Sequence, residues 1–480
     1  METLNSRIVF KKKAPIKIMQ FGEGNFLRAF VDWIIQKMND SGKYNGHVVV
    51  VQPLEFGRVQ NLKDQDYLYN VYLQGVDNGQ VVRTHETIDV IDDGINPYAE
   101  FDKFLKYAES EDLEVIISNT TEAGISLDPT DVNFDVCPKG YPGKTLCLLK
   151  HRYDYFKGDA SKGLNIICCE LIDNNADELK RVLNELAKIK GYDEAFISWL
   201  NNACHFSSTL VDRIVPGYPK DDIEQITKEL GYIDNNVVKC EIFHLWVLAK
   251  EEHVMKAFPC DQVGLNAIYA DSIKPYKQRK VKILNGCHTC MVPVSYLYGI
   301  DTVRESIEDP LVGRFAKEFV YDEVIQTIQL PRDDMEKFAN SVFERYLNPF
   351  VRHELMSIAL NSISKYWARV LPTVKDYLKI NNKLPSHAIF SLAALIKFYE
   401  GKRGNEDIAL KDSPEYLEYF KQLFAKGLSE EEVVKDVLSR EDMWQEDLNK
   451  VPHMYDDVLK YYKLINNKGM KVALKEFLGE

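Results

Sequence analysis

Through the first half of the chain, short β-branched runs alternate with apolar positions at helical spacing. Ile16 to Phe21 predicts a strand, and Phe26, Phe30, Ile34 and Met38, recurring every fourth residue, predict an amphipathic helix directly after it. His47 to Val51 has the valine density of a strand buried on both faces. Gln80–Arg83 and Thr87–Ile91 predict two more strands, close enough for a local hairpin, and Leu113–Ser118 and Leu164–Cys169 add two further sheet strands. Helical patterns precede the first of these, at Phe101–Ala108, and follow the second, at Ala176–Ile189. This alternation implies a mostly parallel sheet with helices on both sides.

After about residue 275 the periodicity changes. Helical patterns run over Asp309–Ile328, Met335–Leu347, His353–Leu371, Ser386–Glu400 and Glu430–Leu438, separated by turn signals such as Asn348-Pro349 and Leu371-Pro372. The organisation expected is an α/β dinucleotide-binding domain over 1–275 and a mostly α-helical domain over 276–480.

Bulk properties narrow the function. At 480 residues the chain exceeds one compact core, and a net charge of -13 argues against a nucleic-acid carrier. The Lys11-Lys12-Lys13 run leads into Ala14-Pro15 rather than a long apolar stretch, so it reads as a solvated lead-in, and no apolar run is long enough for a bilayer. Nine cysteines without framework spacing suit a reducing cytoplasm. Cys287-His288-Thr289-Cys290 has no second pair at zinc spacing, so no metal is expected there. Nothing in the pattern specifies an oligomeric state.

Two segments carry candidate chemistry. Gly22-Glu23-Gly24-Asn25-Phe26-Leu27-Arg28-Ala29 lies between the first strand and the first helix, where a pyrophosphate needs a tight turn and close backbone approach. Leu27 stands where a third glycine is usual, and Arg28 either assists phosphate binding or pairs with a carboxylate. At the end of the next strand Gln52 is placed to bond ribose hydroxyls, with Glu55 a less well placed acid, while nearby Arg58 keeps NADP open beside NAD. The second segment is Lys280-Val281-Lys282-Ile283-Leu284-Asn285-Gly286-Cys287-His288. On an ideal helix its lysine, asparagine and histidine fall at about 0°, 140° and 80°, so all three can face one cavity. A buried lysine can lose its charge and act as a base, an asparagine can hold an alkoxide, and a histidine can orient a hydroxyl. The plain alternative is a polar helix face with a solvated lysine and a core histidine.

The glycine turn together with Lys280-x4-Asn285-x2-His288 resembles the mannitol dehydrogenase family of polyol-specific long-chain dehydrogenases. Gln20–Trp33, Ser118–Ser126, Cys169–Asp173, Ser208–Val215, Asp271–Lys277 and Ser357–Asn361 carry a closer match to members that interconvert D-tagaturonate and D-altronate. The resemblance spans nearly the whole chain. It implies a Rossmann-type N-terminal domain, a helical C-terminal domain, NAD as hydride carrier and no catalytic metal. It also implies Lys280 as general acid–base, Asn285 as alkoxide stabiliser and His288 as the group positioning a substrate hydroxyl. Gly22, Gly24, Asn25, Phe26, Arg28, Gln52, Asn119 and Thr120 become the expected cofactor contacts. Polyol-type members carry Asp-Asn where this chain has Glu170-Leu171; Asn175 is the candidate for the second oxyanion amide and Asn174 the next, against a helix N-cap role. Asp212 matches a substrate-contacting acid, or pairs internally with Arg213. Lys365 and Arg369, four apart on one helical face, suit a uronate carboxylate, or form a solvated basic face. Fructuronate and neutral polyols are the alternative substrates, and a nucleotide-sensing protein on the same fold is the non-enzymatic one.

Overall fold

The computed structural model describes residues 1–121 and 123–480. Its contacts divide the chain into two units, one of residues 1–74 and 82–273, the other of residues 75–81 and 274–480. Pro275 lies inside the first turn of the helix Lys274–Arg279, where a missing N–H costs nothing.

The first unit is built on eleven strands: β1 Ile16–Phe21, β2 His47–Val51, β3 Tyr69–Asp77, β4 Gln80–Ile88, β5 Ile91–Ile95, β6 Val115–Ser118, β7 Asn165–Cys168, β8 His205–Asp212, β9 Val238–Glu241, β10 Leu245–Ala249 and β11 Ala267–Ala270. Eight form one sheet in the order β5-β2-β1-β6-β7-β8-β10-β11. From β5 to β8 every pairing is parallel; β10 runs antiparallel to β8, and β11 parallel to β10. Strand order reverses at β1, so a crevice opens beyond the carboxyl ends of β1 and β6, where doubly wound sheets bind nucleotides. Alternation along the strands serves two core layers. Ile18, Val48, Val50 and Ile117 pack with the helix Asn25–Asp40. Met19, Phe21, Val49, Val51 and Ile116 pack on the other face with Phe104, Leu148 and Leu183.

The expected hairpin of two short strands is instead one long strand, β4, which pairs with β3 in a separate β4-β3-β9 sheet. Asn78 and Gly79 link β3 to β4 with φ of 49° and 76°, the positive values a tight hairpin turn demands. Thr84, His85 and Glu86 do not interrupt β4 because much of the strand is open to solvent.

The second unit is helical. Its centre is the helix Ser386–Phe398, buried nearly all round, which packs against Gly286–Tyr298 on one side and Met454–Phe477 on another. The pattern over His353–Leu371 is not one helix but Leu355–Ile358 followed by Ser362–Arg369, and Leu371 opens a further helix to Asn381. Asn361 breaks the run in the left-handed region at φ 55°, which asparagine tolerates. No helix among the described residues is long and apolar enough to cross a membrane.

Candidate active site

The nucleotide side of the first unit is shaped mainly by backbone. Gly22 ends β1 at φ +124°, and a Cβ there would lie 2.9 Å from Leu27 Cδ1 and 3.4 Å from Asn119 O, so only glycine lets the β1 and β6 loops approach. Gly24 precedes the helix Asn25–Asp40 in an extended conformation, with open space around its missing Cβ. That helix start has no side-chain cap and no acidic residue in its first turn, so its N–H groups and dipole suit an anion.

Several side chains expected to meet the cofactor are held by the fold itself. Arg28 is buried, donates to Glu23 O (3.1 Å), Asn25 Oδ1 (2.8 Å) and Asn236 O, and lies over the Tyr69 ring. It ties the glycine turn to the strand region and is not aimed at a phosphate. Gln52 uses its amide N–H groups on Leu54 O and Glu55 O at 2.9 and 3.0 Å, which leaves its carbonyl oxygen as the group for a ribose hydroxyl. Glu55 and Arg58 are exposed. Asn119 and Thr120, both half-buried, end the β6 side; the N–H and hydroxyl of Thr120 both donate to Glu170 Oε1 at 3.0 Å.

Glu170, the departure from the polyol pattern, is therefore a bracket between the β6 and β7 loops. It also accepts from Ser118 Oγ at 3.1 Å, and burial raises its carboxyl pKa. Asn175 is fully engaged: its amide nitrogen donates to Cys168 O, Glu170 O and Thr209 O, and its oxygen accepts from Thr209 N and Ala176 N. All its bonding capacity goes to buried backbone, so it has no amide hydrogen for a substrate oxygen. Asn174 precedes it in the left-handed conformation, exposed and without a capping bond, so the oxyanion candidate moves to Asn174. Asp212 is buried at the end of β8. The Arg213 guanidinium donates to Glu241 O and Ala29 O and stacks on Trp33.

In the second unit, Lys280 to Asn285 is one wide π-helical turn inserted between the α-helical stretches Lys274–Arg279 and Gly286–Tyr298. Bonds from i to i+5 bring residues five apart into line, so the ideal-helix angles do not apply. Lys280 and Asn285 bound this turn, and His288 follows Asn285 by three residues on the same face. The widened turn leaves Leu284 O to accept from Tyr346 Oη at 2.7 Å, and Asn285 O accepts from Thr289 Oγ1 at 2.9 Å. The two lysines of the segment part company. Lys282 is buried and paired with Asp376 at 2.8 Å, also donating to Thr327, whereas Lys280 is half-buried. Gly286 allows a close approach: a Cβ there would stand 3.2 Å from Arg369 O.

His288 stacks on Tyr346 at 4.3 Å and meets His353 edge-on at 5.1 Å, and its Nε2 is buried without a hydrogen-bond partner. Its pKa lies well below the usual imidazole value, first through burial and then through His353, Arg345, Arg369 and Lys365. The ring is thus neutral near pH 7, with one nitrogen to donate and one to accept. Arg369 Nη1 reaches Thr289 Oγ1 at 3.4 Å, and Lys365 Nζ donates to Ile358 O at 2.8 Å. Burial lowers the pKa of both; Arg369 lowers that of Lys365 further against Asp412, and Tyr346 opposes the fall at Arg369. Lys365 and Arg369 thus gather at His288 with Arg345 and His353, which the sequence pattern did not single out. Arg345 and Tyr346 close the helix Arg332–Tyr346, and His353, read from the sequence as the start of a helical pattern, lies in the loop beyond the Asn348-Pro349 turn.

A family model described as the mannitol dehydrogenase Rossmann domain matches residues 16–262, and one described as the mannitol dehydrogenase C-terminal domain matches residues 272–466. The chain belongs to the mannitol dehydrogenase family. Within the family it is 46% identical to altronate oxidoreductase of Phocaeicola vulgatus over 100% of both chains. It is 40% identical to altronate oxidoreductase of Bacillus subtilis over 99% of this chain and 98% of that one. Two solved structures share the fold. Substrate-free D-sorbitol dehydrogenase superposes with a TM-score of 0.82 at 21% identity, covering 99% of this chain and 100% of that one. Pseudomonas fluorescens mannitol 2-dehydrogenase in a ternary complex with NAD and D-mannitol gives 0.67 at 19% identity, covering 100% of both.

Proposed function

We propose that this chain is an NAD-dependent oxidoreductase that interconverts D-tagaturonate and D-altronate. The observation that carries the sugar-acid reading is the set of cationic side chains around neutral His288. An anionic group is the natural complement of Lys365, Arg369 and Arg345, and full-length relatives at 40–46% identity bear the name altronate oxidoreductase.

The cofactor would lie along the turn Gly22–Gly24 with Asn25 and Phe26, its pyrophosphate on the helix start and its ribose at the Gln52 carbonyl, with Asn119 and Thr120 bordering it. When bound, the nicotinamide supplies or accepts the hydride. Lys280 as ammonium gives a proton to the ketone oxygen during reduction, and as neutral amine takes it back during oxidation. In the helical unit, Asn285 donates an amide hydrogen to that oxygen as charge builds on it, and His288 orients a neighbouring hydroxyl through Nε2. In the sheet unit, Asn174 and Asp212 are the candidates for further substrate hydrogen bonds. Lys365 and Arg369 grip the carboxylate; a guanidinium can do so through two parallel bonds. A pocket of this charge disfavours neutral hexitols, which bring nothing to offset the desolvated cations.

The test follows loss of NADH absorbance with D-tagaturonate beside D-fructuronate and neutral D-fructose. Turnover of tagaturonate far above the neutral ketose is expected. Equal turnover of both, or none with any sugar acid despite NADH binding, would overturn the reading.

A further inference from the structure

Away from these residues, the first unit holds a second constellation. His205 opens β8, Glu251 caps the short helix Glu252–Ala257, and His253 lies in that helix's first turn. The two imidazoles lie flat on one another, with centroids 3.8 Å apart and planes 6° from parallel. One ligand atom from each of the three residues lies within 4.8 Å of the other two. We infer that His205, Glu251 and His253 form a binding site for a zinc-class transition-metal ion.

The geometry suits such an ion. His205 Nδ1 and Glu251 Oε1 are 3.3 Å apart, and two ligand atoms at zinc bond lengths of about 2.0–2.1 Å on a tetrahedron stand about 3.3 Å apart. The carboxylate is held in place because Oε2 accepts from Val254 N at 2.8 Å. The backbone of His205 is held too, its N–H donating to Leu164 O at 3.0 Å between β7 and β8. His253 is exposed, with a ligand atom within 4.8 Å of those of the other two, and its ring must turn out of the stack to aim a nitrogen at the ion. Nearby Lys180 is directed elsewhere, donating to Asn201 O at 3.2 Å. Two imidazoles and one carboxylate favour zinc or nickel over magnesium or calcium, which take oxygen donors. Three protein ligands leave a fourth position to water. Binding would pin the helix to the start of β8 and stabilise the folded chain by mass action.

Equilibrium dialysis of the full chain against zinc, with melting curves, tests the site. The wild type should retain about one zinc ion per chain at micromolar metal. Its melting temperature should rise on the order of 5 °C at saturating zinc, with no response to magnesium. The changes His253→Ala and Glu251→Gln should each abolish retention and the shift while leaving the metal-free melting temperature close to wild type. Cys137, the one half-buried thiol, is controlled by Cys137→Ser, which should bind as wild type does. No retention by the wild type, or undiminished retention in His253→Ala, overturns the assignment.

Discussion

The two units approach their ligands in opposite ways. In the sheet unit, the polar side chains near the glycine turn and the β7 loop are turned inward: Arg28, Gln52, Glu170 and Asn175 all bond backbone atoms of their own unit. What remains for a cofactor is mostly backbone, the uncapped helix start beyond Gly24 and the space that glycine leaves, with the Gln52 side-chain oxygen beside them. In the helical unit the reverse holds. The backbone carbonyls of Leu284 and Asn285 are taken by Tyr346 and Thr289, and the proposed chemistry rests on side chains, Lys280, Asn285 and His288, with cations around the imidazole. A binding surface made of backbone tolerates wide sequence change so long as its glycines stay. One made of charged side chains changes specificity with single substitutions.

That contrast can be broken experimentally. The largest effect should come from Lys280→Met, which removes the proton donor; turnover should fall by about 10²–10⁴-fold with NADH affinity unchanged in a fluorescence titration. Retained turnover would remove Lys280 from the chemistry. Next, Asn175→Ala should remove the buried bonds that its amide makes to Cys168 O, Glu170 O, Thr209 O and Thr209 N, although Cys168 O and Glu170 O keep Thr209 Oγ1 and Ile172 N as donors. A loss of about 2–4 kcal/mol in denaturant unfolding is expected. Asn174→Ala should instead leave stability unchanged and slow the reaction; swapped outcomes would restore Asn175 to the oxyanion role. Arg369→Met should raise KM for the keto-uronate by about 10–100-fold, a loss of about 1.5–3 kcal/mol typical of a charged hydrogen bond, without raising it for a neutral ketose. A parallel rise for both would make Arg369 a structural residue.

The smallest effect concerns the core of the sheet unit. Burial pushes the Asp32 carboxyl up to about 7, against hydrogen bonds from Tyr69 and Gln20 that pull it down. The folded chain keeps that proton where the unfolded chain, with its carboxyl at 3.8, has released it. Stability therefore falls as pH rises from about 4 to about 7 and is level above that. Asp32→Asn carries no such proton, so its stability relative to wild type should climb by about 1 kcal/mol between pH 6 and pH 7. A difference that does not change with pH would show that Asp32 is ionised throughout.

The local order of the chain was legible without coordinates. Period-two and period-3.6 patterns located β1, the helix after it and β2, because burial on one or both faces imposes a spacing that survives in the residues themselves. The same holds for Gly22, whose positive φ admits few alternatives. What the sequence did not carry is how long-range partners redirect side chains. Asn175 and Asn174 are identical neighbours, and only the carbonyls of β7 and β8 converging on one of them decide which is structural. Lys282 is buried against Asp376, ninety-four residues further along the chain, and nothing local marks it for that pairing. Likewise, the wide turn at Lys280 and the meeting of Arg345, His353, Lys365 and Arg369 at His288 arise from packing between distant helices. No local pattern encodes them, since each residue alone fits an ordinary helix or loop.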